Sequence, residues 1–94
     1  MPEQLHALFY DYVPDLLERR APHREGHLAL IRRWHEDGRI VMAGALGDPP
    51  HAGLIVLRVE DPAAAAEEFV AQDPYHPAGL VTSWRVEPFL NVTA

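Results

Sequence analysis

The sequence predicts an α+β fold, an antiparallel sheet with two helices on one face. Three observations predict it: apolar runs of strand character at both ends of the chain, a hairpin signature in the middle, and a helical pattern on either side of that hairpin. The resulting order, β-α-β-β-α-β, is the split βαβ or ferredoxin-like arrangement. Ninety-four residues make a single domain, 1–94, with no linker, no internal repeat and no low-complexity tract beyond four alanines.

Leu5 to Val13 is rich in aromatic and aliphatic residues and stops at Pro14, as a largely buried first strand does. After a short Asp15–Arg20 segment of helical character, Pro22 suits a first helical turn. Leu28, Leu30, Ile31 and Trp34 then recur at three-to-four spacing until Gly38 ends the helix. Arg39–Leu46 and Gly53–Val59 are two strands joined by the loop Gly47-Asp48-Pro49-Pro50-His51. Asp61 is an N-cap followed by Pro62, and the alanines make Pro62–Ala71 a second helix that presents Phe69 and Val70 and ends at Asp73-Pro74. Leu80–Phe89 is the last strand, with Leu80, Thr82, Trp84 and Val86 on one face and Val81, Ser83, Arg85 and Glu87 on the other.

Every strand carries apolar residues in both phases, yet only one phase can meet the helices, so the second sheet face calls for a partner. The expected assembly is a homodimer, or a higher oligomer, with two sheets packed face to face as a dimeric α+β barrel and a cleft in each subunit. The competing arrangement has edge loops and the Asn91–Ala94 tail covering part of that face.

Composition excludes several function classes. Eight Lys plus Arg against fourteen Asp plus Glu give a net charge of −6, which disfavours nucleic acid or an anionic membrane as partner. The absence of cysteine removes disulfides, thiolate nucleophiles and cysteine-ligated metals. No apolar stretch approaches the ~20 residues of a membrane span, and the start Met-Pro-Glu-Gln lacks the features of a secretion signal, so a cytoplasmic location is expected.

The remaining chemistry narrows quickly. Ser83, the one serine, sits inside a strand without a nucleophile elbow, and Gly44-Ala45-Leu46-Gly47 lacks the lysine and following helix of a phosphate cradle. His23 and His27 have the i,i+4 spacing of a helical zinc site, but Arg24 stands where the metalloprotease pattern needs Glu and Gly26 weakens the helix, so neither metal nor cofactor is expected. Acid–base chemistry is left. His27 falls on the sheet-facing stripe with Leu30 and Ile31 and is expected to be at least half buried. Two roles are open to Asp73: accepting a hydrogen bond from a first-helix histidine and so fixing its tautomer, or capping its own turn.

Arg24-x-x-His27-Leu28, then Asp37-Gly38-Arg39 leading to Ala43-Gly44, and Asp73-Pro74-Tyr75-x-x-Ala78-Gly79 before Val86-x-Pro88-Phe89 resemble the YciI-like (YCII-related) family over nearly the whole chain. The resemblance implies a dimeric ferredoxin-like α+β barrel and an active-site pair carried here by His27 and Asp73. It also implies small-molecule turnover, including dehydrochlorination of aromatic substrates, in a superfamily that includes muconolactone isomerase-like enzymes. Gly44-Ala45 departs from the Gly-Pro frequent at that point of the family, and the loop after the second strand is short.

The leading expectation is a small cofactor-independent enzyme that uses a His-Asp pair for elimination, dehalogenation or isomerisation of a small cyclic or aromatic molecule. His27 is the general base, worth ~10²–10⁴ in rate, and Asp73 orients it. Arg24 is a candidate for holding an anionic oxygen, or else a solvated helix-start cation. Tyr75 and Tyr10 are candidates for substrate contact, or else for packing. The rival expectation is a non-catalytic small-ligand-binding or structural dimeric domain.

Overall fold

The computed structural model describes residues 2–93. Its elements are β1 (Glu3–Tyr12), α1 (Leu16–Arg19), α2 (Ala21–Glu36), β2 (Ile40–Leu46), β3 (Ala52–Leu57), α3 (Pro62–Gln72) and β4 (Val81–Asn91). The strands form one antiparallel sheet in the order β2-β3-β1-β4, the ferredoxin-like topology predicted from the hydrophobic pattern. No helix among the described residues is long and apolar enough to cross a membrane.

One phase of β1 and β3 meets the helices. Leu8, Tyr10, Ile55 and Leu57 pack beneath Leu30 and Trp34 of α2 and beneath Ala66, Phe69 and Val70 of α3. The Trp34 indole sits edge-on to Phe69 at 5.2 Å between ring centres and donates to the Gln72 side chain at 3.2 Å, which ties the two helices together across the sheet. The Asp61 carboxylate caps α3 by accepting from the Ala64 N–H at 3.1 Å.

The predicted face assignment of the last strand needs correcting. Between Asp11 and Tyr12 the β1–β4 register shifts: Asp11 pairs with Ser83 and Tyr12 with Val81, so Thr82 is an extra, bulged residue. The bulge inverts the alternation on one side of it. Val81 joins Trp84 and Val86 against the helices, while Thr82 turns outward and Leu80 enters a satellite cluster with Leu16 and Tyr75. β4 also runs two residues further than expected, to Asn91, because Gln4 and Glu3 at the start of β1 pair with Leu90 and Asn91.

The opposite sheet face carries Leu5, Ala7, Phe9, Leu54 and Val56, and Met42 and Phe89 at its margins are 62% and 41% exposed. In the C-terminal tail Val92 is 73% exposed and Thr93 is exposed as well; Ala94 lies outside the described residues.

Candidate functional site

α2 turns one stripe toward the sheet, and His27 stands on it one turn ahead of Leu30, which leaves the imidazole buried at 6% exposure. Asp73 arrives from the other helix. As the C-cap of α3 it takes an extended backbone, the conformation a following proline enforces, and its N–H closes the helix on Phe69 O at 3.0 Å. The carboxylate turns back inward and is fully buried.

Three donors meet that carboxylate. Oδ1 accepts from the Tyr75 N–H at 2.9 Å and from His27 Nδ1 at 3.0 Å, while Oδ2 accepts from His27 Nδ1 at 2.9 Å and from the Tyr10 hydroxyl at 2.9 Å. The two roles open to Asp73 are thus filled together: it caps its own turn and holds the histidine. A buried carboxylate is costly without such donors and strongly bound with them. Because an ionised carboxylate can only accept, the proton of the neutral imidazole sits on Nδ1 and the lone pair on Nε2.

Tyr75 fixes the ring from a second direction. Its phenol lies parallel to the imidazole, with centroids 3.8 Å apart and planes 5° from parallel. Gly26, which as a sequence signal only weakened the helix, has a packing purpose: a Cβ there would stand 3.1 Å from Pro74 Cγ, so the glycine gives the clearance that lets α2 approach the Asp73-Pro74 corner.

A cavity of about 190 Å³ opens beside His27, between the N-terminal half of α2 and the β2–β3 hairpin. His27, Tyr75, Tyr12, Arg20 and Arg24 give it polar groups, and Ala43, Gly44, Ala45 and Gly53 form a wall of small residues opposite. With Nδ1 tied to Asp73, the imidazole edge bearing Nε2 is the one available to the cavity. Gly53 is required by its neighbour, since a Cβ there would lie 2.7 Å from the Tyr12 hydroxyl.

The residues singled out by sequence divide as follows. His27, Asp73 and Tyr75 are joined by direct contact, and Arg24 lines the cavity from the first turns of α2. Tyr10 is not among the cavity-lining residues; it is wholly buried and reaches the site from behind, through Asp73, a correction to its expected contact with substrate. Burial first, then the Asp73 charge and the hydrogen bond to it, push the Tyr10 phenol well above its ordinary range, so it remains a protonated donor. Tyr12 and Arg20 also line the cavity and were missed. Their signals were present: Tyr12 shares the phase of Tyr10 on β1, and Arg20 precedes Arg24 by four residues.

The YCII-related domain matches residues 4–90 of this chain. An uncharacterized protein of Haemophilus influenzae is 34% identical over 96 residues, spanning 93% of this chain and 97% of its own length. Protein YciI of Escherichia coli is 31% identical over 96 residues, spanning 94% and 98%. Among solved structures, a 5-chloro-2-hydroxyhydroquinone dehydrochlorinase from Burkholderia phenoliruptrix, in complex with 2,5-dihydroxybenzoquinone, is similar with a TM-score of 0.73. It is 22% identical and covers 90% of this chain and 92% of its own. An antibiotic biosynthesis monooxygenase is similar with a TM-score of 0.56 at 14% identity, covering 93% and 96%. At these identities the solved structures establish a shared fold, the antiparallel α+β arrangement described above.

Proposed function

This chain belongs to the YCII-related domain family, and we propose that it is a small cofactor-independent enzyme performing acid–base chemistry on a small cyclic or aromatic molecule. The observation that carries the proposal is the bond from His27 Nδ1 to the buried Asp73 carboxylate at 2.9 Å, with the same imidazole forming part of the cavity wall. A base so held presents a lone pair of fixed direction, and general-base catalysis contributes ~10²–10⁴ in rate.

In an elimination, Nε2 takes a proton from the substrate, the electron pair left behind becomes the new double bond, and the leaving group departs with its own bonding pair. The substrate loses the elements of an acid, HX, with no net oxidation or reduction. In an isomerisation the same nitrogen returns the proton at another carbon. The imidazolium formed midway is stabilised by the Asp73 carboxylate. The fold shared with a dehydrochlorinase supports the elimination branch as the first to test.

The second sheet face completes the proposal. Met42, Phe9, Leu54 and Phe89 offer an apolar surface suited to a second copy of the chain, which would form the dimeric barrel.

The test is chloride release from chlorinated hydroxyhydroquinones, together with solvent-deuterium exchange into a panel of single-ring hydroxylated compounds. Turnover should fall by ~10²–10⁴ in His27→Gln and Asp73→Asn. Rates unchanged in both variants, or no reaction with any member of the panel, would refute the acid–base assignment.

A further inference from the structure

All eight cationic side chains of this protein are arginines, and most of those near an acid are paired with it: Arg19 with Asp15, Arg39 with Asp37 and Glu68, Arg58 with Glu3, Arg85 with Glu87. Arg20 and Arg24 line the cavity and make no ion pair among the described residues. Arg32 and Arg33 also stand outside those ion pairs, so what sets Arg20 and Arg24 apart is that both line the cavity that holds His27. Their position is also unfavourable for the helix. Arg20 is the N-cap of α2 and Arg24 lies near its start, the end where the helix dipole favours negative charge, and the first turn has no acidic residue. The helix end and the two guanidiniums therefore sum to a positive field, and the carboxylate felt in the same space, Asp73, is engaged by His27, Tyr10 and the Tyr75 N–H.

A second observation is independent of that field. Tyr75 is 2% exposed, and its buried hydroxyl makes no hydrogen bond of good geometry, the nearby Arg24 guanidinium included, although the ring lines the cavity. A buried hydroxyl without a partner is rare and calls for an explanation. Tyr12, Tyr75, Arg20 and Arg24 lie around one space: Tyr12 senses Tyr75 and both arginines, and Arg24 opposes the rise that burial imposes on the Tyr75 phenol. That space is small. A cavity of about 150 Å³ takes benzene, so the cavity of about 190 Å³ here takes a single substituted six-membered ring.

We infer that Arg20, Arg24 and the Tyr75 hydroxyl form an oxyanion subsite, and that the ligand of this cavity is a single-ring compound with a delocalised negative oxygen, a carboxylate or a ring phenolate or enolate. The inference rests on the cavity being the substrate site of the proposed enzyme, and it assigns Arg20 and Tyr75 specificity roles. A planar guanidinium matches the in-plane lone pairs of such an anion, and the Tyr75 O–H donates the remaining hydrogen bond. Anchored there, the ring lies within reach of the His27 edge of the same cavity.

The test is binding without turnover, so it can fail while the acid–base assignment stands, and the reverse. Benzoate, para-nitrophenolate and neutral benzamide are titrated into the protein, following the ring resonances of His27 and Tyr75 by NMR. Both anions should perturb those rings and bind about tenfold or more tighter than benzamide, the difference shrinking as salt is added. Arg20→Gln and Arg24→Gln should each weaken the anions about tenfold while leaving benzamide unchanged, and Tyr75→Phe, which keeps the stacked ring, should weaken them about threefold to tenfold. Preference for only one of the two anions identifies the oxygen type. Equal binding of benzoate and benzamide, anion affinity indifferent to both arginine substitutions, or no perturbation of either ring at millimolar ligand would overturn the inference.

Discussion

Replacing Tyr10 with phenylalanine removes one oxygen and keeps the ring among its neighbours Tyr12 and Phe69, at 5.9 and 6.3 Å between centres. The packing cost is therefore small, and the loss is the bond to Asp73 Oδ2 at 2.9 Å. Hydrogen bonds to charged groups contribute about 1.5–3 kcal/mol, and here the acceptor is fully buried, so no water can replace the donor. Oδ2 keeps only its contact with His27. The expected destabilisation is about 1.5–3 kcal/mol, which at about 4–8 °C per kcal/mol for a domain of this size lowers Tm by roughly 6–24 °C.

The assay is urea unfolding at fixed protomer concentration, since any dimer makes stability concentration-dependent. A lowered midpoint with unchanged slope is the expected result. Repeating the substitution in an Asp73→Asn background isolates the charge: against a neutral acceptor the hydroxyl should be worth about 0.5–1.5 kcal/mol, so the two substitutions should couple by about 1 kcal/mol or more. A loss under about 0.5 kcal/mol in the parent, or the same loss in both backgrounds, would show that Tyr10 does not serve a buried anion.

Gly53→Ala should cost about 1–3 kcal/mol by pushing its Cβ into the Tyr12 hydroxyl, and combining it with Tyr12→Phe should recover most of that loss in the same unfolding assay. Light scattering at micromolar concentration should give the mass of two chains, and Leu54→Glu on the open sheet face should shift it toward one; a wild-type monomer would remove the case for the barrel. Alkaline stability follows from the tyrosines. Burial raises the phenols of Tyr10, Tyr12 and Tyr75 above their ordinary value, aided at Tyr10 and Tyr12 by the Asp73 charge and opposed at Tyr75 by Arg24. Folded values above unfolded ones mean that this contribution is fully present below about pH 10 and is lost as pH rises further, so tyrosinate absorbance should appear together with unfolding. Tyrosinate forming in the intact fold would contradict that burial.

The parts of the site visible in the sequence are those set by local rules. Helical periodicity alone puts His27 on the stripe with Leu30, and the Asp-Pro pair alone ends α3 with a carboxylate at the corner. What the sequence hides depends on distant contacts. Val81, Thr82 and Ser83 give no sign of which one will bulge, and the inserted residue exchanges the faces of everything on one side of it. Tyr10 and Tyr12 share a strand phase, so period-two reasoning sends both toward the helices. Which of them lies under Asp73 and which reaches the cavity depends on where α3 ends relative to β1, a separation of 63 residues for the Tyr10–Asp73 bond. Arg20 sits at the break between α1 and α2, where pattern defines the boundary least well.

That three consecutive residues, Asp73, Pro74 and Tyr75, carry so much of the site has a mechanical explanation. A carboxylate meant to hold an imidazole must itself be held, and here the Tyr75 N–H does so from two residues away, making the orientation of Asp73 a local property of the turn. The same residue that supplies the N–H lays its ring flat on His27 at 3.8 Å, so the turn that sets the in-plane partner also sets the stacking partner. Pro74 holds Asp73 extended and seats its ring against Gly26, one residue before His27 in α2. A displacement of the turn would therefore move acceptor, stack and helix contact together. This predicts that Gly26→Ala, although Gly26 is not among the cavity-lining residues and the change favours helix propensity by ~1 kcal/mol, weakens the His27–Asp73 bond by forcing α2 off Pro74. The imidazole ¹⁵N shifts of His27 would report it as a loss of the Nδ1–H tautomer, and shifts identical to wild type would show that the corner yields without disturbing the pair.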